Sequence, residues 1–399
     1  MKVRDKNTKS ELDTSVKDLF ENRISRREFL RRTVVLGVSA AFVGDILTLH
    51  SNEAHAAYKP SGDTLEKIRK EGGELAIYNW EGYIHPDVVP GFEKEYGVKV
   101  TYDTFAGNEA LLAKMQGGGA RYDVVFPTHN FLPIHAAQNL LAPLNHENIP
   151  LMKNVVPKFL DTEFDRGNQY SLPYLWGMTA LGHNTKYTEG DPNMGSWALM
   201  FESGPERYSG QLAFTNEREE VIATALSYLG YSVNSRSEQE LREAGKVLAE
   251  VKPHVKAFYP GAEETKALIQ EDVVIGHAWN GEVVKARREN PAVEWLLPKE
   301  GGTAWFDTMA IPKVAPHKAT AEAFINYMLR PDVAAKNSDF GGYATPNQAA
   351  VKEVVPKELA NDPAIYPTDE QLERLEFLGV IPDDILPIYS DIWTRLMAS

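Results

Sequence analysis

Aromatic rings, carboxylates and small polar groups recur together in Trp80-Glu81-Gly82-Tyr83, Pro127-Thr128-His129-Asn130, Glu217 with Glu220, Trp279-Asn280-Gly281-Glu282, and Trp305 with Asp307. That inventory suits an organic cation. An aromatic face covers a methylene chain and attracts ammonium charge, roughly 0.5–2 kcal/mol per ring depending on desolvation. A carboxylate adds a charge-assisted hydrogen bond, roughly 1.5–3 kcal/mol. His129 is the one side chain in these stretches able to carry positive charge. Taken singly, each residue has a plainer reading. A tryptophan after a strand is commonly core, and Glu219-Glu220 at a helix start complements the helix dipole. Their recurrence carries the joint reading.

Paired carboxylates such as Asp307 and Glu217 also equip an acid–base hydrolase. The chain adds nothing else to that reading: it has no Gly-x-Ser-x-Gly elbow, no His-Glu-x-x-His helix and no glycine-rich phosphate loop. The ten histidines lack ligand spacing, and His129 and His277 read as packing residues or supports of the site. There is no cysteine, which excludes disulfides, thiolate metal sites, a cysteine nucleophile and a lipidated N-terminal cysteine. No cofactor and no metal are expected. An anionic solute would call for arginine, and Arg218, the one close by, is flanked by glutamates.

The elements that hold these stretches read as alternating strands and helices. Glu74 to Asn79 is a strand, Pro86 to Tyr96 a helix, Val98 to Tyr102 a strand, Asn108 to Met115 a helix with Asn108 as N-cap, and Tyr122 to Phe126 a buried strand. The alternation resumes with strands at Gln211–Thr215, Asp272–His277 and Thr308–Ile311, and helices at Glu219–Tyr228, Glu238–Val251, Val283–Asn290 and Ala319–Leu329. Such alternation implies parallel sheet covered by helices, and two α/β lobes fit it better than one long sheet. In open parallel sheets, ligands sit beyond the carboxyl ends of strands. The aromatic and acidic stretches fall there.

Ser25-Arg26-Arg27-Glu28-Phe29-Leu30-Arg31, the mildly apolar run Thr33 to Leu49, and Ala54-His55-Ala56 read as a twin-arginine export signal with a small-x-small cleavage site. Residues 1–56 are therefore expected to be removed and the mature chain to be exported. A membrane anchor is the alternative, but the apolar run is interrupted by Gly37, Gly44 and Asp45. The net charge is −14, and the leader holds ten basic against eight acidic residues, so the remainder is more acidic still. Such a surface repels nucleic acid and steers cations toward it. No nucleic-acid partner is expected, and the default state is a monomer.

Beyond these readings, the chain resembles the periplasmic spermidine/putrescine-binding proteins of polyamine ABC importers. The likeness rests on Tyr78-Asn79-Trp80-Glu81-Gly82-Tyr83-Ile84, Tyr122-Asp123-Val124-Val125-Phe126-Pro127, Ser171-Leu172-Pro173-Tyr174-Leu175-Trp176-Gly177, Trp279-Asn280-Gly281, Pro298-Lys299-Glu300-Gly301-Gly302, Trp305-Phe306-Asp307, Leu329-Arg330-Pro331-Asp332-Val333-Ala334 and Gly342-Tyr343-Ala344-Thr345-Pro346-Asn347. It implies a hinged two-lobed clamp of the type II periplasmic-binding class, with parallel and mixed sheets and a discontinuous chain. Lobe one would be 57–183 plus 307–350, and lobe two 184–306 plus 351–399. The implied ligand is a small cationic polyamine, the implied partner a membrane permease docked transiently, and the implied location the periplasm. Trp80, Tyr83, Trp279, Trp305 and Tyr343 fall where the family boxes the methylene chain, and Asp307 on its central ammonium-binding carboxylate. Glu217 and Glu220 match an acidic pair of the spermidine type, and Glu282 an acidic position of putrescine-preferring members. Thr128 and Asn130 stand where the spermidine type has serine and tyrosine, which removes one aromatic wall, and Glu217 is a methylene longer than the usual aspartate. A different cationic amine, an amino acid or a sensing role stays open. Ferric-binding relatives need adjacent tyrosines, and the chain has no Tyr-Tyr pair.

Overall fold

Asp307 and Pro173 lie in two long antiparallel strands around which the described residues are organised in the computed structural model. The structure describes residues 59–118 and 121–398; the export signal read from the sequence lies outside them. The strands are β1 (Glu74–Trp80), β2 (Lys99–Phe105), β3 (Val124–Val125), β4 (Leu141–Ala142), β5 (Ser171–Asn184), β6 (Leu212–Thr215), β7 (Val255–Tyr259), β8 (Ile275–Trp279), β9 (Val293–Leu296), β10 (Gly302–Pro312) and β11 (Leu375–Phe377). Every residue of β5 and β10 is buried, as expected of strands covered on both faces.

The strands run in the order β2-β1-β3-β10-β5-β8-β6-β7, with β4 and β11 also on β10 and β9 also on β5. β1 is parallel to β2 and β3, and β6 is parallel to β7 and β8. The central pair is antiparallel, and so are its bonds to β3, β8 and β9. The alternation read from the sequence therefore holds at each end. The sheets are parallel within each end and mixed as a whole, and the two ends are not separate in hydrogen bonding, because β5 and β10 stay paired from Ser171–Ala310 to Thr179–Thr303 and join the two groups. The chain leaves the first group along β5 and returns along β10, so it is discontinuous across a two-lobed α/β fold.

Each strand group has its own core. Phe105, Leu111, Val125, Leu132, Leu141 and Ala310 cluster at the first. At the second, Leu212 and Phe214 of β6 pack with Val221, Leu226, Leu241, Leu248, Ile392 and Leu396 from helices Arg218–Tyr228, Glu238–Val251 and Leu386–Ala398. Elsewhere, Val355 packs on Ala334 and Ala335. No helix among the described residues is long and apolar enough to cross a membrane.

Three local readings change. Asn108 is the first residue of helix Asn108–Gln116, and Gly107 is the N-cap; the Asn108 side chain is drawn to Thr128 instead. Only Val124 and Val125 form strand within Tyr122–Phe126, since Asp123 is spent on Ala76 and His317. Trp305 and Asp307 lie within β10 rather than before a strand.

Candidate functional site

The side chains that could grip a cation are positioned by a break in the central pair. Phe306 registers with Trp176 and Thr308 with Pro173, so Tyr174 and Leu175 face Asp307 alone. Proline has no N–H to give the ladder, and an extra residue on one strand re-aims the side chains beside it. Asp307 bridges instead to Thr128, and Thr308 N–H donates to the Pro127 carbonyl at 3.0 Å. The Asp307 carboxylate accepts from the Tyr83 hydroxyl at 2.6 Å and from the Thr128 hydroxyl at 2.7 Å. Asn108 braces Thr128 through two bonds of 2.9 and 3.1 Å. Its donors are all neutral. Burial pushes the Asp307 carboxyl up to about 7 against the pull of those two hydroxyls.

From the second strand group, one helix start aims two acids at the same space. Glu217 precedes helix Arg218–Tyr228 as its N-cap, without capping it through its side chain, and Glu220 sits in the first turn. Glu220 accepts from the Trp279 indole at 2.9 Å. The Trp305 indole donates to Thr179 at 3.0 Å, and Thr179 in turn bonds Glu220. Burial pushes Glu220 up to about 7, opposed by the bonds from Trp279 and Thr179 and reinforced by Asp307 and Glu219. Glu217 is held well above the carboxylate range, first by burial and then by Glu109, Glu220, Glu219 and Asp307. Its Oε1 would lie 3.1 Å from a Cβ at Gly107, so it reaches across to the first group. Arg218 is turned to Glu219 and not to these seats.

The rings close the walls. Trp80 ends β1 and donates its indole N–H to the Phe126 carbonyl at 2.9 Å. It meets Trp279, at the end of β8, edge to face at 5.9 Å. Tyr343 meets Tyr83 at 5.5 Å and Trp305 at 5.2 Å, both edge to face. Gly281 and Gly342 make that placement sterically possible: a Cβ at Gly281 would lie 2.4 Å from the Tyr343 ring, and Gly342 has φ 72° with its Cβ position 2.6 Å from the Gly281 carbonyl. Gly281→Ala is accordingly expected to displace Tyr343 and cost about 1–3 kcal/mol of stability. Thermal unfolding beside Gly62→Ala, whose Cβ would meet nothing within 4 Å, checks this, the control remaining at the wild-type value.

All eleven residues singled out from the sequence (Trp80, Tyr83, Thr128, Asn130, Glu217, Glu220, Trp279, Glu282, Trp305, Asp307 and Tyr343) line one cavity of about 510 Å³, within the usual range for a small-molecule site. Glu282, in the first turn of helix Asn280–Glu289, accepts from the Tyr343 hydroxyl at 3.1 Å and pairs with Lys285 at 2.6 Å. His129 is buried and stacks on Phe306; its Nε2 bonds the Leu378 carbonyl and its Nδ1 accepts from the Phe306 N–H. Burial lowers it to about 4, so it brings no positive charge. His277 is likewise buried, lowered to about 3, and bonded to Thr215. The sequence reading missed Asn108, Thr179, Lys266 and Lys285. Lys266 and Lys285 lie on helices rather than at strand ends, and only the i,i+3 spacing from Glu282 could have flagged Lys285.

Residues 88–368 match the family model described as "Bacterial extracellular solute-binding protein". A spermidine/putrescine-binding periplasmic protein of Salmonella typhimurium is 36% identical over 327 residues, 81% of this chain and 91% of the relative. A putrescine-binding periplasmic protein of Escherichia coli is 34% identical over 344 residues, covering 82% and 92%. Among solved structures, a putative spermidine/putrescine ABC transporter protein from Listeria monocytogenes superposes with a TM-score of 0.76 at 36% identity, covering 82% of this chain and 99% of that one. A model match over most of the chain, and this identity across nearly the full length of such relatives, place the chain in the bacterial extracellular solute-binding protein family.

Proposed function

We propose that this protein is the non-catalytic solute receptor of a polyamine importer. It captures an extended di- or oligoamine in the cleft between two lobes, and the closed form docks on a membrane permease. The carrying observation is that Asp307, Glu217 and Glu220 face one ring-walled cavity with no cationic partner among the described residues. Ammonium groups supply the missing charge, and Trp80, Tyr83, Trp279, Trp305 and Tyr343 cover the methylenes between them. A micromolar ligand corresponds to about −8.2 kcal/mol, which two charge-assisted bonds and several ring contacts reach after ordering costs.

Thr128 serves by orienting Asp307, and Asn130 by lining the wall where a ring is lacking. The lobes are 57–183 plus 307–350 and 184–306 plus 351–399, with the β5–β10 irregularity beside Asp307 as the place where they flex. The names of the relatives support a periplasmic location, and the paired arginines Arg26 and Arg27 support delivery by the twin-arginine route. A thermal-shift panel tests the function, since a ligand of the native state stabilises it by mass action. Putrescine, spermidine or agmatine is expected to raise the melting temperature by several degrees, with amino acids and sugars inert. A panel in which no amine moves the transition sinks the reading.

A further inference from the structure

Two carboxylates from opposite strand groups face one gap beside Gly107. Gly107 is the N-cap of helix Asn108–Gln116 with φ −169°, extended backbone open to any residue, so its lack of a side chain answers to space and not to conformation. A Cβ there would stand 3.1 Å from Glu217 Oε1 and 4.0 Å from Glu109 Oε2. Glu217 comes from the helix start after β6, and Glu109 from the first turn of helix Asn108–Gln116, after β2. Ala106, Asn108 and Glu217 line the cavity, which puts this gap at its edge. An acid in a first helical turn has an ordinary use, complementing the helix dipole, and that accounts for Glu109 alone. It does not account for a second acid set opposite. Neither Glu109 nor Glu217 has an ion-pair partner among the described residues: Arg218, the cation whose charge reaches Glu109, is bonded to Glu219 instead. After burial, Glu109 is the largest influence raising the Glu217 carboxyl.

Building on the polyamine reading above, we infer that Glu109 is a further ligand-binding carboxylate, which completes the Glu217/Glu220 seat from the other strand group so that a terminal ammonium sits between Glu109 and Glu217 in the space beside Gly107. A primary ammonium has three N–H donors, enough to bond acids of both groups at once. With the seat empty, the two like charges oppose the approach of the groups; with an ammonium between them, the repulsion is replaced by two charge-assisted bonds. Glu109 therefore links occupation of the cleft to its closure at the end of the ligand. The inference agrees with the likeness of Glu217 and Glu220 to the acidic pair of the spermidine type, and it adds the acid that meets them. Glu219 does not share this role, because Arg218 already neutralises it.

The test is calorimetric titration of purified wild type and Glu109→Gln with spermidine and with its two analogues lacking one terminal amine, N-propyl-1,4-diaminobutane and N-butyl-1,3-diaminopropane. Glu109→Gln is expected to weaken spermidine binding by about tenfold or more, and to weaken one analogue, the one without the amine that reaches this seat, by less than about threefold. A change in the general field of the cleft weakens both analogues alike. Glu109 is exposed, and thermal melts verify that the variant folds. Gly107→Ala, whose methyl group fills the space beside Glu217, is read in its place should it not, with the same pattern expected. Any other pattern, whether a spermidine loss under about tenfold or a loss above about threefold on both analogues, overturns the inference while leaving the receptor function standing. Wild-type protein that binds none of the three amines overturns the receptor reading itself, and this inference with it.

Discussion

Asp307→Asn is expected to weaken polyamine binding by roughly 30-fold to several thousand-fold while the protein stays folded. Removing one partner of a desolvated charge pair costs about 2–5 kcal/mol, and each 1.4 kcal/mol is a decade in Kd. Asparagine keeps the shape of the side chain and can still bond the Tyr83 and Thr128 hydroxyls that meet the carboxylate at 2.6 and 2.7 Å. What it loses is the charge. In the free protein that charge is a burden, since the carboxyl is buried among neutral donors and raised to about 7. The unliganded variant is therefore expected to melt at or above the wild-type temperature at pH 8. Calorimetric titration and a melt of the same preparation check both halves. A Kd within threefold of wild type removes Asp307 from the binding role.

The order of the site along the chain was legible because its residues sit at the ends of strands with ordinary signatures. Trp80 closes β1, Trp279 closes β8, and Glu217 with Glu220 opens the helix after β6, so a rule about strand ends found them. The central pair was harder to read. Ser171–Asn184 contains Pro173, Gly177 and Gly182, residues that argue against a strand when taken locally, yet it runs as fourteen buried residues because β8, β9 and β10 all pair with it. β10 is interrupted in pattern by Asp307, a carboxylate in an otherwise apolar run, so only Thr308–Ile311 carries a strand signal. That local contradiction falls at the candidate site: the chain gives up regular pairing at Asp307 and gains an acid in the cavity wall. The braces escaped notice for a different reason. Asn108 and Thr179 act through partners far off in sequence, Thr128 and Trp305, and no local pattern links them.

Polyamine affinity is expected to rise steeply with pH between about 5.5 and 7.5 and then level off. Asp307 and Glu220 are each raised to about 7, and Glu217 is held well above the ordinary carboxylate range by burial and by the carboxylates of Glu109, Glu220, Glu219 and Asp307. The groups titrate together rather than one by one. Below neutrality the free cleft holds protons that an arriving ammonium must displace, whereas the amines themselves, with pKa values near that of lysine, stay charged throughout. A single displaced proton with this pKa tightens Kd roughly 20-fold across that interval, and two tighten it several hundred-fold. The stability of the free protein moves the other way. These carboxyls titrate higher when folded than when unfolded, so below about pH 3, under the ordinary carboxyl values of roughly 4, both states are largely protonated and the groups are neutral in effect. As pH rises toward 7 the unfolded chain gives up protons that the native state retains, and their contribution to stability falls. Ligand-induced stabilisation should therefore be larger at pH 8 than at pH 5.5. Titrations in buffers of low and high ionisation enthalpy at pH 6 are expected to show one to two protons released per ligand bound. A Kd independent of pH over this range, with no dependence on buffer, means that the seats are already ionised in the empty cleft and that the opposing donors outweigh burial.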